Sequence, residues 1–333
     1  MIGCPLTTGS RRDQAAVERG GILVKNKVAV IGAGNVGASA ALYIAERGLA
    51  DVTLIDRPEM EGMPQGKALD MEEAAPLWHK GPKVTGSTDL ASVAGSDVIV
   101  MTAGFPRKPG MSRTDLLKAN ADIIKPAAEA VKKHAPDSIV VVVTNPLDVM
   151  AWYFGHITGF PRNRVLGMAG ILDSARFRAF LAMELGISGA DIQAMVLGGH
   201  GDSMVPVIKY TVAGGIPVEE LIAPERLAQI VQRTRDGGAE IVKLLKTGSA
   251  YYAPAMSAVE MVEAILLDQK RLVPCSVALT GEYGLKDLFI GVPIILGAGG
   301  VEKIVQLKLS DTDQAALHKS AKDVADMIAE LKG

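Results

Sequence analysis

A chain of 333 residues is long enough to form two domains. With 48% hydrophobic and 22% charged residues it is not an intrinsically disordered protein. Its 35 basic and 37 acidic residues give a net charge of −2, which argues against nucleic-acid partners and against a polybasic membrane surface. Apolar runs such as 139–143 are far shorter than the roughly 18–20 residues of a membrane-spanning helix, so we expect no membrane segment.

The first 24 residues precede the first strong strand pattern, and we expect them to be an extension with little structure. Cys4 suggests a lipoprotein signal and Arg11-Arg12 a twin-arginine signal, but both signals need an apolar segment, and the segment here is polar and charged. The sequence has only two cysteines, Cys4 and Cys275, which makes a disulfide framework or a zinc site improbable. We therefore expect a reducing, cytoplasmic location and no bound metal.

From residue 25 onward, short buried strands alternate with helical patterns. Leu116, Ile123 and Val131 belong to one apolar helix face between two of these strands. This alternation predicts an α/β fold with a Rossmann-type, doubly wound parallel sheet. The predicted strands are Lys27–Ile31, Asp51–Ile55, Val98–Met101, Ile139–Val143 and Val165–Met168.

Beyond residue 170 the alternation weakens, and helices dominate. We therefore place a domain boundary near residue 168, with an extension at 1–24, a nucleotide-binding domain at 25–168 and an α+β substrate domain at 169–333. The predicted helices of the second domain are 172–185, 225–246 and 255–269, and its short strands lie around 191–197 and 272–305.

A Gly-x-Gly-x-x-Gly motif follows the first predicted strand and begins a helix. Gly32 permits the tight turn, Gly34 lets the backbone approach a pyrophosphate, and Gly37 allows close packing of the helix on the strand. The free N–H groups at the helix start favour phosphate binding. A glycine-rich turn without a ligand is the alternative, but the strand and helix around the motif favour a dinucleotide. The predicted contacts are Gly32, Ala33, Gly34, Asn35, Val36 and Gly37.

Asp56 ends the second strand, 19 residues after Gly37. A carboxylate there accepts hydrogen bonds from ribose hydroxyls and repels a 2′-phosphate, which favours NAD over NADP. Arg57 is adjacent to Asp56 and keeps NADP open as an alternative.

His200 lies in the glycine-rich turn 198–202, at the end of an apolar strand. An isolated histidine is more often structural than catalytic, but these glycines indicate that other groups approach the ring. Asp173 and Arg176 are three residues apart in a helical segment, so both project from one face. Alone, such a pair is usually a weak surface ion pair.

The loop 105–113, here called the lid loop, carries Arg107, Lys108 and Arg113 between proline and glycine residues. It follows a strand at the end of the sheet where ligands bind in open α/β folds. A solvated basic loop is the simpler interpretation. Beside a nicotinamide site, however, the pattern favours a mobile lid with anion-binding groups.

From residue 25 to 333 the chain resembles the lactate/malate dehydrogenase family, and in particular its lactate-dehydrogenase-like malate dehydrogenases. Several independent motifs occur in the family's order. Departures are small: Arg57-Pro58 after Asp56, Ser203 where threonine is common, and the N-terminal extension. The motifs that carry the resemblance, besides the glycine motif, are 64–70, 107–120, 143–146, 172–176 and 199–202.

The resemblance implies a mechanism that the chemistry of these residues also supports. It implies that His200 takes and returns the substrate proton, for which an ordinary pKa of about 6.5 is suitable. Asp173 resembles the carboxylate partner that fixes the imidazole tautomer. Arg176 resembles the residue that binds the substrate carboxylate with two parallel hydrogen bonds.

Further roles rest on the same resemblance. Arg113 resembles the lid residue that polarises the substrate carbonyl. Asn145 is implied to orient substrate and nicotinamide, and we expect the Asn145–Pro146 peptide bond to be cis. Asn120, Val143, Thr144 and Asn145 resemble residues that contact NAD.

Arg107 occupies the family's usual discriminating position. An arginine matches the second carboxylate of malate or oxaloacetate, whereas lactate enzymes resemble this pattern with a neutral glutamine. A charge-assisted hydrogen bond contributes about 1.5–3 kcal/mol, and an arginine closed over a methyl group would lose it. The small Ala250 leaves room for the longer substrate. We therefore favour malate, with lactate or another 2-hydroxy acid as the second choice.

A redox-sensing dinucleotide-binding module without turnover is the alternative from a different class. It needs the glycine motif but not a His–Asp pair with three arginines, so we favour the enzyme. The family also implies a homo-oligomer, a dimer or a tetramer, and the sequence does not distinguish the two.

Overall fold

The structure is a computed structural model that describes residues 16–19, 22–78, 81–106 and 112–332. Its strands are β1 (Ala16–Arg19), β2 (Ile22–Lys25), β3 (Lys27–Ile31), β4 (Asp51–Ile55), β5 (Val84–Ser87), β6 (Val98–Met101), β7 (Ile139–Val142), β8 (Val165–Gly167), β9 (Ile192–Gln193), β10 (Val196–Leu197), β11 (Val205–Pro206), β12 (Val212–Ala213), β13 (Ile216–Pro217), β14 (Arg271–Thr280), β15 (Lys286–Gly297) and β16 (Gly300–Ile304). Its helices are α1 (Asn35–Glu46), α2 (Met63–Trp78), α3 (Arg113–His134), α4 (Leu147–Thr158), α5 (Ala169–Leu185), α6 (Val218–Leu221), α7 (Pro224–Leu245), α8 (Tyr252–Leu266) and α9 (Asp311–Lys332).

The main sheet has the strand order β16-β15-β14-β8-β7-β6-β3-β4-β5. The six strands from β8 to β5 are parallel. From β3 the chain first adds β4 and β5 on one side and then adds β6, β7 and β8 on the other side. The predicted doubly wound Rossmann sheet is confirmed. Its central strands read as unbroken apolar runs because helices cover both faces, and β6 and β7 are buried along their whole length.

The sheet continues beyond β8 into three antiparallel strands. β14 pairs with β8 at Ser276 and Gly167, and β15 and β16 follow as antiparallel neighbours. The strand predicted at 165–168 is therefore confirmed as part of the main sheet. A second, smaller core surrounds Phe177 and Leu181 of α5, against α7 and the short strands β9 and β10.

The expectation of little structure in the first 24 residues was wrong for residues 16–19 and 22–24. These segments form β1 and β2, which pair as antiparallel strands with Ala16 opposite Lys25 and Arg19 opposite Ile22. Valine and isoleucine favour strands, and the sequence between the two segments is Gly20-Gly21, a pair typical of two-residue hairpin turns. The expectation for residues 1–15 lies outside the described residues.

The carboxyl ends of β3, β6 and β7 meet at one edge of the sheet, where the candidate site lies. Thr102 N donates to Ile31 O, and Val143 N donates to Met101 O, so the loops after the three strands begin side by side. Among the helices of the described ranges, none combines the length and apolar character needed to cross a bilayer.

Candidate active site

The predicted dinucleotide turn is sharp and closely packed. Gly32 has φ +107°, and its N–H donates to Ile55 O at 2.7 Å. A Cβ on Gly37 would lie 1.8 Å from Gly32 O, so only glycine allows α1 to begin this close to β3. A Cβ on Gly34 would meet nothing within 4 Å, because the backbone there faces open space. The turn therefore leaves room for a ligand at Gly34 and none at Gly37.

Asp56 is tied to this turn through both carboxylate oxygens. Oδ2 accepts from Ala33 N at 2.7 Å, and Oδ1 accepts from Arg57 N at 2.8 Å. The carboxylate is thus fixed beside the glycine motif, and its remaining lone pairs are free to accept ribose hydroxyls. Asn35 is exposed and Val36 is half-buried at the start of α1.

A cleft of about 540 Å³ runs along this edge of the sheet. Its volume is within the usual range of cofactor sites. The residues fit a dinucleotide because an open glycine backbone, a helix start and a fixed carboxylate line one continuous, largely apolar cleft. The lining includes Ile31, Gly32, Gly34, Asp56, Arg57, Pro58, Met60, Met63, Leu90, Thr102, Ala103, Gly104, Phe105, Ile123, Pro126 and Ala127.

The loop after β7 is braced by buried polar side chains. Thr144 Oγ1 donates to Ala103 O at 2.7 Å, and Val143 is buried beside Met101. Asn145 is exposed at this edge. The Asn145–Pro146 peptide bond is cis, as predicted.

Asn120, which is expected to contact the cofactor, links the lid loop to the loop after β7. Its side chain is completely buried, with Nδ2 donating to Asn145 O at 2.7 Å and to Phe105 O at 3.1 Å. Oδ1 accepts from Phe105 N at 2.7 Å. Asn120 therefore holds the start of the lid loop against Asn145, and its contact with a cofactor stays a prediction.

His200 and Asp173 form the predicted pair. His200 Nδ1 lies 2.8 Å from Asp173 Oδ2, and the carboxylate is buried while the imidazole is 15% exposed. Burial alone would lower the pKa of His200, but the charge and the hydrogen bond of Asp173 outweigh it. The pKa of His200 therefore lies above its usual value. Because Nδ1 is engaged by Asp173, Nε2 is the ring nitrogen left for a substrate.

Arg176 completes this group. Its Nη1 lies 3.5 Å from Asp173 Oδ1, so one buried carboxylate stands between an imidazole and a guanidinium. The sequence analysis missed Gly237 on α7, where a Cβ would lie 2.3 Å from Arg176 Cδ. A glycine within a helix costs about 1 kcal/mol relative to alanine. Gly237 in the middle of a long helical pattern is therefore a signal that could have indicated a close neighbour.

The turn that carries His200 is held by further residues that the sequence analysis missed. Gly199 N donates to Ser320 Oγ at 2.8 Å, and His200 N donates to Asp148 Oδ2 at 2.7 Å. Ser320 Oγ also lies 2.9 Å from Ser203 Oγ. Ser320 and Asp148 are distant from His200 in sequence and belong to no recognisable motif, so no signal in the sequence identifies them.

The arginines of the lid loop are only partly described. Arg107 and Lys108 lie outside the described residues. Arg113 is the first residue of α3, directly after Ser112, which caps the helix: Ser112 Oγ accepts from Asp115 N at 3.0 Å, and Asp115 Oδ2 accepts from Ser112 N at 3.1 Å. The backbone at the end of the lid loop is thus anchored.

Together these groups form a site for acid–base chemistry on an anion. An imidazole can take up and release a proton, Asp173 favours its charged form, and Arg176 supplies a cation at the side of Asp173. The cleft beside the glycine turn and Asp56 has the volume and lining for a dinucleotide.

Known proteins resemble the chain over nearly its whole length. Residues 26–167 match the family model for the NAD-binding domain of lactate/malate dehydrogenase, and residues 171–332 match its alpha/beta C-terminal domain. A malate dehydrogenase from Roseiflexus sp. (strain RS-1) is 54% identical over 309 residues, which is 93% of this chain and 99% of that protein.

Solved structures give the same result. The malate dehydrogenase from Salinibacter ruber superposes with a TM-score of 0.88 at 49% identity, covering 92% of this chain and 97% of the other. The lactate dehydrogenase from Cryptosporidium parvum, solved with lactic acid and β-nicotinamide adenine dinucleotide, superposes with a TM-score of 0.90 at 43% identity. That match covers 94% of this chain and 99% of the other.

Substitutions in the glycine turn separate folding from cofactor binding. Gly34→Ala places a methyl group in the open part of the cleft, so we expect normal thermal stability and at least about tenfold weaker NADH binding, about 1.4 kcal/mol. Gly37→Ala places a methyl group against Gly32 O, so we expect a lower melting temperature. Calorimetry and NADH fluorescence titration measure the two effects.

Gly238→Ala is the matched control, because a Cβ there meets nothing within 4 Å and Gly238 lies on α7, away from the cleft lining. It should lower neither the melting temperature nor the affinity for NADH. Unchanged NADH affinity in Gly34→Ala would remove the turn from the cofactor site.

The His200 imidazole should titrate above its ordinary pKa of about 6.5. In Asp173→Asn the charge is lost while burial remains, so we expect the midpoint to fall below that of the unmodified chain. NMR titration of the ring protons, assigned by comparison with His200→Gln, measures both midpoints. Equal midpoints in the two proteins would contradict the electrostatic role of Asp173.

Proposed function

The chain belongs to the lactate/malate dehydrogenase family, and we propose that it is a NAD-dependent malate dehydrogenase that interconverts (S)-malate and oxaloacetate. The observation that carries the proposal is the buried Asp173 carboxylate with His200 at 2.8 Å and Arg176 at 3.5 Å. The malate dehydrogenases at 52–55% identity support malate over the other substrates of the family.

In malate oxidation, His200 Nε2 accepts the proton of the substrate hydroxyl. The positive charge that forms on the ring is stabilised by Asp173, which also holds Nδ1 in its protonated form. The glycine turn and Asp56 would hold NAD, which would supply the acceptor for the hydride of the same carbon. In the reverse direction, the protonated His200 returns the proton to the oxygen of oxaloacetate.

Arg176 holds the carboxylate next to the reacting carbon. A guanidinium presents two parallel N–H groups to a carboxylate, which fixes the orientation of the substrate as well as its position. Asn145, exposed at the end of β7, is suited to orient the substrate from the cofactor side. We assign the glycine turn, Asp56 and Val143 to Asn145 to NAD.

The lid loop supplies the remaining two arginines of the proposal. Arg113 stabilises the charge that develops on the substrate oxygen, and Arg107 binds the second carboxylate. Ala250, near the start of α8, leaves space for the longer substrate. These assignments rest on the family resemblance and on the backbone position of Arg113 at the start of α3.

The wider organisation follows from the same proposal. We assign residues 25–168 to the NAD-binding domain, residues 169–333 to the substrate domain and residues 1–24 to an extension.

Exposed leucines, Leu69 and Leu77 on α2 and Leu244 on α7, support burial against a second copy, in a dimer or tetramer. We propose a cytoplasmic enzyme.

Turnover of oxaloacetate tests the proposal. The purified chain should oxidise NADH with oxaloacetate, and His200→Asn should lower kcat by about 100- to 10,000-fold while NADH still binds. Absorbance at 340 nm measures the rate, and NADH fluorescence measures binding. A panel of 2-keto acids with NADH and NADPH gives the substrate and cofactor preference.

Two results would contradict the proposal. No decay at 340 nm with any 2-keto acid at micromolar enzyme would favour a dinucleotide-binding sensor without turnover. Near-normal rates in His200→Asn would remove His200 from the acid–base role.

Substitution of Arg107 tests the preference for malate. Arg107→Gln should lower kcat/KM for oxaloacetate by more than about tenfold, about 1.4 kcal/mol, and narrow the preference over pyruvate, because the second carboxylate loses its ionic partner. Lys108→Gln, which removes the adjacent charge of the same loop, should leave the ratio of the two substrates nearly unchanged. An unaltered ratio in Arg107→Gln would refute this source of specificity.

A further inference from the structure

Asp148 is a buried acid outside the motifs of the proposed reaction, yet it contacts the turn that carries His200. It is the second residue of α4 and is only 4% exposed. Its Oδ2 accepts the hydrogen bond from His200 N at 2.7 Å. Its Oδ1 is also buried and accepts no hydrogen bond from the described residues. Among the described residues, the His200 main-chain N–H is thus the one donor in hydrogen-bond geometry to this buried carboxyl group, and the nearby Ser276 hydroxyl does not reach that geometry.

A buried carboxylate is costly unless charges or hydrogen bonds compensate it. Burial accordingly raises the pKa of Asp148, and Asp173 acts in the same direction, whereas His200 and the hydroxyl of Ser276 oppose them. An asparagine would accept the same hydrogen bond from His200 N without a buried charge. An ionised Asp148 therefore needs a positive group nearby to compensate its charge.

The positive group that can compensate Asp148 is the imidazolium of His200. Among the described residues, the charged groups that act on His200 are Asp173 and Arg176 from α5 and Asp148 from α4. Asp173 bonds the ring, and Asp148 bonds the main chain of the same residue. The two carboxylates lie on separate helices and both favour the protonated ring, whereas Arg176 opposes it.

We propose that Asp148 is a second positioning carboxylate for His200, which fixes the turn through the main-chain amide and favours the protonated imidazole by its charge. The inference rests on the proposed acid–base role of His200. Asp148 also follows Asn145 by three residues on the same chain segment. It therefore couples the position of the residue that orients the substrate to the position of the residue that exchanges the proton.

The pH dependence of turnover distinguishes charge from scaffolding. Malate oxidation needs neutral His200 and fails as the pH falls, whereas oxaloacetate reduction needs protonated His200 and fails as the pH rises. Loss of the negative charge favours the neutral ring. In Asp148→Asn, both midpoints of kcat/KM should therefore move to lower pH by at least about half a unit. Because the amide oxygen still accepts from His200 N, kcat at the optimum should stay within about threefold.

Removal of the acceptor itself should act differently. In Asp148→Ala the turn loses its hydrogen bond as well as the charge, so we expect kcat to fall further than in Asp148→Asn while NADH affinity is unchanged. Asp148→Glu keeps the negative charge. Its pH midpoints of kcat/KM should therefore lie closer to those of the unmodified chain than the midpoints of Asp148→Asn do.

Ser320→Ala is the matched control. It removes a neutral hydrogen bond to the adjacent Gly199 N, so it should lower kcat without moving the pH midpoints. An equal shift of the midpoints in Ser320→Ala, or none in Asp148→Asn, would overturn the proposal. Asp148→Ser is a second neutral variant, and failure of both neutral variants to fold would assign Asp148 to stability alone and also overturn it.

These results are separable from failure of the proposed function. If the unmodified chain does not reduce oxaloacetate, or if His200→Asn remains active, the proposed function fails first. If both of those tests succeed and the midpoints of Asp148→Asn coincide with those of the unmodified chain, only the role of Asp148 is refuted.

Discussion

The site depends on one buried carboxylate that is shared by two cationic side chains. Asp173 Oδ2 lies 2.8 Å from His200 Nδ1, and its Oδ1 lies 3.5 Å from Arg176 Nη1. The short contact sets the tautomer and the basicity of the ring, because the proton on Nδ1 points at a negative charge. The longer contact leaves the guanidinium fork incompletely paired among the residues that the structure describes. Arg176 is therefore both held in place and available to a substrate anion.

The fold brings this group to the edge of the sheet where a dinucleotide cleft opens. The loops after β3, β6 and β7 begin side by side there, and Asn120 links the start of the lid loop to Asn145 through buried hydrogen bonds. β14 extends the same sheet antiparallel to β8, so the second half of the chain packs directly against the first. The geometry is thus carried by main-chain ladders and buried amides, which are rigid compared with surface loops.

The features that sequence patterns predicted are local ones. The glycine turn, Asp56, the strands of the parallel sheet and the Asp173–Arg176 pair all depend on neighbours within one or two elements. The features that were missed depend on distant partners: His200 N bonds Asp148, 52 residues away, and Gly199 N bonds Ser320, 121 residues away. No periodicity encodes such contacts. Asn120 shows the same limit, because its hydrogen bonds to Phe105 and Asn145, 15 and 25 residues away, are not encoded in its motif.

In the proposed function, the reaction chemistry and the choice of substrate lie in separate parts of the chain. The His200–Asp173–Arg176 group suits any 2-hydroxy acid, because the carboxylate and hydroxyl that it would bind are common to lactate and malate. The structural relatives include both lactate and malate dehydrogenases with TM-scores of 0.88–0.90, so the backbone alone does not separate the two substrates. The second carboxylate is the chemical group that distinguishes malate from lactate. One charged side chain on a loop is enough to recognise it. A preorganised core with selection on a loop allows the substrate to change while the proton and hydride geometry stays fixed.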